Sequence, residues 1–394
     1  VAWSISRFLR QNHAIPPRFH TLFHHEGKPA QTAIMRILHV IAGAEIGGAE
    51  TFAVDAITAL AERGVEQHVI CRPYAAQRRR YAGAGIPTSW YGFSTFDRFF
   101  RPDVVASIAR AFKPDLVHAW MSRAGSVIPS RLACPAVGWF GDYYKLKYFR
   151  TCDSFFAVTP DIAASIVKRG MPPERVFTTN TFGTMPDAPP VDRTTLDTPA
   201  DAKVALVLSR MHKVKGIDTM LEAAAKVPGL YVWLAGDGPE RAAYQSLAAR
   251  LGLSDRVRFL GWRSDRKALL EACDICVLPS RYEPFGTVIV EAWASNRPLV
   301  ATKADGARQY VHDDVDGLLC PIDDALALAA CLTRVMHERD LAGRLVEAGR
   351  ARFEADFTRD IVVDRLIDAY AAAIRLGKRP RAGQGGAKPV VLAP

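Results

Sequence analysis

Two series of short apolar runs, each alternating with amphipathic helical stretches, fill most of the chain, and a proline-rich break separates them. The first series reads as strands at Met35–Ile41, Gln67–Cys71, Pro87–Tyr91, Asp115–Ala119, Ala136–Phe140 and Ser154–Val158. Helices fill the gaps, one ending near Arg63 and one through Asp161–Arg169. The second series begins at Lys203–Leu208 and continues near Leu230–Ala235, Arg256–Leu260, Ile275–Leu278, Pro298–Thr302 and Leu318–Cys320. Helical patterns at 324–338, 340–355 and 358–375 complete it. Strands joined through helices pair in parallel, and a parallel sheet needs helices on both faces. The predicted fold class is therefore α/β: two Rossmann-like, doubly wound parallel-sheet domains facing a cleft, with ligands at the carboxyl ends of the strands.

The stretch Met185–Ala200, with Pro186, Pro189, Pro190 and Pro199, reads as the linker. The expected division is an N-terminal domain over 35–190, a C-terminal domain over 191–357, a helix over 358–376 returning to the N-terminal domain, and a disordered basic tail over 377–394. Residues 1–34 show no clear period and read as a disordered arm or an upstream-start artefact, Met35 opening the first good strand. At 394 residues the chain is too long for one ordinary core. Hydrophobic residues at 49% and charged residues at 23% exclude a wholly disordered chain and a polytopic membrane protein. No apolar run approaches the ~20 residues that span a bilayer, so a cytoplasmic protein is expected.

The net charge of +10 raises the question of an anionic partner. Residues 1–34 carry +3 and residues 377–394 carry +4, so the body is only mildly basic. The seven cysteines sit among apolar neighbours and read as reduced core thiols, Cys273 and Cys276 included.

The chemistry concentrates in the second series. Glu283 and Glu291 are separated by seven residues across a strand-to-helix turn that contains Pro284, Phe285 and Gly286. A carboxylate can accept two hydrogen bonds from a vicinal diol, and free N–H groups at the helix start can hold phosphate or sugar oxygens. A bare pair of this kind would more often be a solvated helix face. Here Arg210 and Lys215 precede it at the turn after 203–208, where they could hold a pyrophosphate. Gly236, in Ala-Gly-Asp-Gly-Pro, and Gly261-Trp262-Arg263 follow at the next two strand ends. These are small-residue turns where backbone can approach a nucleotide.

This ordered set resembles the donor half of the retaining family 4 glycosyltransferases, which have the GT-B fold. The resemblance is carried by Ser209-Arg210 to Lys215-Gly216, Ala-Gly-Asp-Gly-Pro, Phe-Leu-Gly-Trp, Val-Leu-Pro-Ser, Glu-Pro-Phe-Gly to Glu-Ala, and Asp-Gly-Leu-Leu. It extends more loosely through Ile-Gly-Gly-Ala-Glu-Thr and Pro-Asp-Leu-Val-His. It implies transfer of a sugar from a nucleoside-diphosphate donor with retention, without a required metal or other cofactor. By the same likeness Arg210 and Lys215 hold the diphosphate, Glu291 the ribose and Glu283 the donor sugar. The backbone at Phe285 and Gly286 would meet sugar or phosphate, and Trp262 and Arg263 the base.

Gly47 and Gly48 lie between the first strand and its helix, where backbone without a Cβ can reach donor and acceptor. A turn needed only for strand–helix packing is the equal alternative. Many relatives carry a histidine after the strand matching Pro135–Phe140, and this chain has Gly141 there. Asp142, next to it, and His118, at the end of the preceding strand, are the candidates for orienting the acceptor or accepting its proton. The stretches Trp90–Phe100 and Trp139–Phe149, with Lys145, Lys147 and Arg150, are either membrane-facing surfaces for a lipid-linked acceptor or buried aromatics beside a charged face. The expected acceptor is a glycan or glycolipid of a bacterial surface polysaccharide or lipopolysaccharide core, handled at the cytoplasmic face of the inner membrane. The rivals are a nucleotide-sugar epimerase of the same fold and a basic nucleic-acid-binding protein, the latter disfavoured by the charge distribution.

Overall fold

The computed structural model describes residues 35–380 apart from 46, 95–96, 98–102 and 339. The expectations for residues 1–34, and much of that for 90–100, lie outside the described residues. Seven strands form the first sheet: β1 (Arg36–Ile41), β2 (Glu66–Cys71), β3 (Thr88–Trp90), β4 (Leu116–Trp120), β5 (Ala136–Phe140), β6 (Ser154–Ala157) and β7 (Val176–Thr178). All pair in parallel, in the order β3-β2-β1-β4-β5-β6-β7. The second sheet holds β8 (Lys203–Leu208), β9 (Leu230–Ala235), β10 (Val257–Gly261), β11 (Ile275–Leu278), β12 (Leu299–Thr302) and β13 (Leu318–Cys320). It is also parallel, in the order β10-β9-β8-β11-β12-β13.

The central strands are apolar runs because helices cover both faces: Val204–Leu208 and Ile37–Ile41 are all buried, the polar His39 among them. Strand β7 has no counterpart in the sequence reading. Its three residues are half-buried or exposed on the sheet edge, so no apolar run marks it. The cysteines are free thiols, five of them fully buried, Cys273 and Cys276 among these.

Helices that matter for the site are α1 (Gly48–Glu62), α2 (Ile217–Ala224), α3 (Arg266–Ala272), α4 (Thr287–Ala294), α5 (Asp305–Tyr310) and α6 (Arg359–Leu376). The last follows the second sheet in sequence but packs on α1 and β4 of the first. Arg63, just past α1, reaches Asp360 at 2.7 Å and Asp364 at 2.6 Å, and Arg359 reaches Glu62 at 2.6 Å. Order also extends past Gly377, where the tail was expected to begin. Arg175 binds the Gly377 carbonyl at 2.9 Å, Lys378 the Leu132 carbonyl at 2.6 Å, and the Arg379 N–H donates to Asp153 at 2.9 Å. Residues 381–394 lie outside the described residues. Among the described residues no helix is long and apolar enough to cross a membrane.

In each sheet the chain reverses direction of growth beside the first strand, between β1 and β4 and between β8 and β11. These are the switch points where the loops diverge and leave room for a ligand.

Candidate active site

At the second switch point the loop after β8 (209–216) meets the loop after β11 (279–286). Gly216 adopts a left-handed conformation, φ 61°, and a Cβ there would stand 2.0 Å from the Pro279 carbonyl oxygen. Only glycine lets the two loops press together so closely. The N–H groups of Arg281 and Tyr282 both donate to the Val214 carbonyl, at 2.8 and 3.2 Å. Arg281 then ties the pair to α2 through Asp218 and to Asp323. Held this way, Lys215 Nζ lies 2.7 Å from Glu283 Oε2. The sequence reading gave the lysine to phosphate and the glutamate to sugar. The structure makes them partners of each other, both about a fifth exposed. Arg210 is exposed and has no ion-pair partner among the described residues.

The turns after β9 and β10 complete this edge. A Cβ on Gly236 would fall 2.0 Å from the Ser209 carbonyl oxygen, and the Gly236 N–H donates to the Gly261 carbonyl at 2.7 Å. Four loops are thus stacked edge to edge. Trp262 is 64% exposed beside them. Arg263 was expected at the base, but both arms of its fork are occupied by Asp265, at 2.7 and 2.5 Å. That pairing uses Nε and Nη2 and leaves Nη1 without a hydrogen-bond partner among the described residues.

Gly286, φ 89°, starts α4, and Phe285 turns its ring inward onto Tyr310 at 5.1 Å between centroids. Only the Phe285 backbone is left for a ligand, and Gly306 packs against its carbonyl. Glu291 lies on the second turn of α4, yet it is not an open cleft residue: it is 1% exposed. Arg266, the first residue of α3, donates to its Oε1 at 2.5 Å. Gly183 covers it so closely that a Cβ would lie 3.2 Å from its Cγ and Oε1. Oε2 is buried with no partner among the described residues. Burial pushes the Glu291 pKa up, and the Arg266 charge opposes that rise.

In the first half, the loop after β1 closes on the carboxylate of Glu50. Cβ atoms on Gly43 and Gly47 would lie 2.5 and 2.2 Å from its oxygens, and the Ala44 N–H donates to it at 2.9 Å. A side chain at Gly47 would displace the Glu50 carboxylate from this loop. A Cβ on Gly48 would meet open space. Asp142, just past β5, accepts a hydrogen bond from the Tyr282 hydroxyl and another from the Tyr143 N–H at 2.7 Å. The carboxyl ends of the two sheets touch here, one residue from Glu283. A second contact pairs Arg308 of α5 with Asp161 and hydrogen-bonds Tyr310 to the Val158 carbonyl at 2.8 Å.

His118 belongs to none of this. Strand β4 runs on to Trp120, so His118 is its middle residue, in register with His39 of β1. It has no exposed surface, stacks on Trp120 and binds the Tyr370 hydroxyl at 2.6 Å. A side chain sealed in the core touches no acceptor. In the stretch 139–149, Trp139 and Phe149 are buried while Lys145, Lys147, Tyr148 and Arg150 are exposed. Among the described residues no group of three or more His, Cys, Asp or Glu side chains is placed to hold a metal ion.

The sequence reading missed Tyr282, Glu50, Gly183 and Arg266. Arg266 did leave a signal, because a cation at a helix start opposes the helix dipole and calls for a local anion.

Comparison with known proteins follows the same division. The model for glycosyl transferases group 1 matches residues 190–352, and that for glycosyltransferase family 4 matches residues 46–180. The chain is 38% identical over 340 residues to the lipopolysaccharide core biosynthesis glycosyltransferase LpsE of Rhizobium meliloti, covering 86% of this chain and 99% of that one. It belongs to the group 1 glycosyl transferases. LpsD of the same organism, also a lipopolysaccharide core biosynthesis glycosyltransferase, is 34% identical over 85% of this chain and 98% of its own. The structure of Anabaena HepE in complex with UDP-glucose superposes with a TM-score of 0.72 at 23% identity, over 86% of this chain and 100% of that one. The fold is GT-B, and the four stacked loops and the Glu283–Lys215 pair are this group 1 glycosyltransferase's candidate donor edge.

Proposed function

We propose that this glycosyltransferase moves a sugar from a nucleoside-diphosphate donor to a lipopolysaccharide-core acceptor, with retention and without a metal. The observation that carries the donor half is the buried Glu291 oxygen that lacks a partner among the described residues, on the helix that follows the Lys215–Glu283 pair. A buried, unpaired carboxylate oxygen costs roughly 1–3 kcal/mol, which a ribose diol would remove. The exposed Arg210 and the half-buried Lys215 would hold the diphosphate as negative charge develops on it, the electrostatic contribution that fixed donors make best. Glu283 would contact the sugar once the diphosphate draws Lys215 away. Asp142, held by Tyr282, would orient the acceptor hydroxyl whose oxygen bonds the anomeric carbon as the bond to diphosphate breaks.

The acceptor is argued from the core-biosynthesis relatives LpsE and LpsD, aligned end to end with this chain. The exposed Lys145, Lys147, Tyr148 and Arg150 form a basic, aromatic surface suited to an anionic membrane face. A panel of nucleotide sugars tested by thermal shift checks the donor reading: one or more should raise the unfolding temperature in the presence of EDTA. No shift with any of them, or a shift that requires added divalent metal, contradicts it. Co-sedimentation with anionic vesicles, lost when Lys145, Lys147 and Arg150 are replaced by Ser, checks the membrane contact.

A further inference from the structure

We infer that Arg266 is a positioning residue that fixes one oxygen of Glu291 so that the other is aimed, ionised, at the ribose diol of the donor. The inference rests on the reading of Glu291 as the ribose acceptor. A glutamate has three rotatable bonds, and 99% of this one's surface is removed from water. Left alone in that setting its carboxyl would turn to find a donor or take up a proton. Arg266 holds one oxygen in place and opposes the proton uptake that burial favours. Its Nη1 takes Oε1 at 2.5 Å, and its side chain, one-third exposed, keeps contact with water. Nη2 points to the Thr184 carbonyl at 3.5 Å, which seats the guanidinium against the segment joining the two halves. Gly183 shuts the remaining space over Cγ and Oε1. What is left is Oε2, with both lone pairs unused.

The other titratable group beside Glu291 is Cys276 on β11, a buried thiol whose pKa is pushed well up and which stays neutral. Arg266 is therefore the one cation that favours the charged form of Glu291 among the described groups that face it. Its position at the start of α3, where a cation is otherwise unfavourable, finds its reason in that task.

The test is nucleotide binding to the purified full chain. The probes are the 5′-diphosphates of uridine, guanosine and adenosine and their 2′-deoxy analogues, measured by calorimetry from pH 5.5 to 8. Wild type should favour the tightest ribonucleotide over its deoxy form by about tenfold or more, since a site built for a hydroxyl rejects the analogue lacking it. Arg266→Met should bring the ratio to about twofold and weaken ribonucleotide binding increasingly as pH falls, because Glu291 then takes up a proton. Arg266→Lys should restore most of both, and Glu291→Gln should show the lost discrimination without the pH dependence. Wild-type discrimination and pH profile in a cooperatively folded Arg266→Met overturn the inference and leave the ribose reading intact. Should that variant not fold, Arg266→Gln against Arg266→Lys replaces it, and equal ratios in the two overturn the inference. Failure of wild type to bind any of the nucleotides overturns this inference and the donor reading together.

Discussion

His39 gives a prediction whose size and sign follow from the structure. It is fully buried, its Nε2 lies 2.9 Å from Gln67 Oε1, and its Nδ1 accepts from the Trp120 indole at 3.2 Å. Gln67 spends its own N–H on the Ile57 carbonyl, so its oxygen is free to accept. The neutral ring satisfies both contacts, and a second proton on Nδ1 would face the indole N–H. Burial accordingly pushes the pKa from 6.5 down to about 3. The unfolded chain takes up a proton below about pH 6.5 while the native chain does not until near pH 3, so stability is present above pH 6.5 and is lost as pH falls toward 3. At 2.303RT per unit this costs about 1.4 kcal/mol at pH 5.5 and about 2.7 kcal/mol at pH 4.5. His118, also pushed well below its ordinary value by burial, acts in the same direction. Glu291, shifted up by burial, acts in the opposite direction, and a difference measurement cancels it. Urea unfolding followed by tryptophan fluorescence should therefore show His39→Asn less stable than wild type at pH 7.5, for its lost hydrogen bonds. The gap should narrow by about 1.4 kcal/mol per pH unit between pH 6 and 4.5. Parallel stability curves for the two proteins would refute the reasoning.

Two further outcomes follow from the loops. Gly236→Ala should destabilise by about 1–3 kcal/mol and weaken nucleotide binding, because its φ of 147° and the Ser209 carbonyl 2.0 Å from the new Cβ force the Arg210 loop to move; thermal melts with and without the nucleotide that wild type binds most tightly read both. Tyr282→Phe removes the hydrogen bond between the two halves at Asp142, and should raise the acceptor KM several-fold while donor affinity stays within about twofold. Steady-state kinetics with each substrate varied in turn would separate these, and an unchanged acceptor KM would count against Asp142 as the acceptor's partner.

Most of the sheet architecture was legible because parallel strands buried on both faces cannot alternate, so runs such as Val-Ala-Leu-Val-Leu stand out. Strand β7 was not, being short and at the edge. The positions of Arg210, Lys215, Glu283 and Glu291 were legible, the first three in turns after strands and Glu291 on the second turn of the helix that follows. Their contacts were not. The pairing of Lys215 with Glu283 spans 68 positions and depends on Gly216 fitting against Pro279, which no local pattern encodes. His118 misled because the apolar run seemed to end at Ala119; Trp120 continues it and buries the imidazole. The pairing of Arg263 with Asp265, two positions on, was not legible because spacing does not distinguish a partner from a neighbour. The packing of Gly47 against the Glu50 carboxylate, three positions later in the same motif, was not legible either.

The central claim is metal-independent, retaining transfer that depends on the Lys215, Glu283 and Glu291 edge. The most direct measurement is transfer from the stabilising nucleotide sugar to a lipopolysaccharide-core acceptor in EDTA, with the anomeric configuration of the product read by NMR before mutarotation. Wild type should give product of the donor's configuration, and Lys215→Ala and Glu291→Ala should give none while unfolding cooperatively. Inverted product, conversion of the donor with no acceptor present, or wild-type turnover in Lys215→Ala would contradict the account.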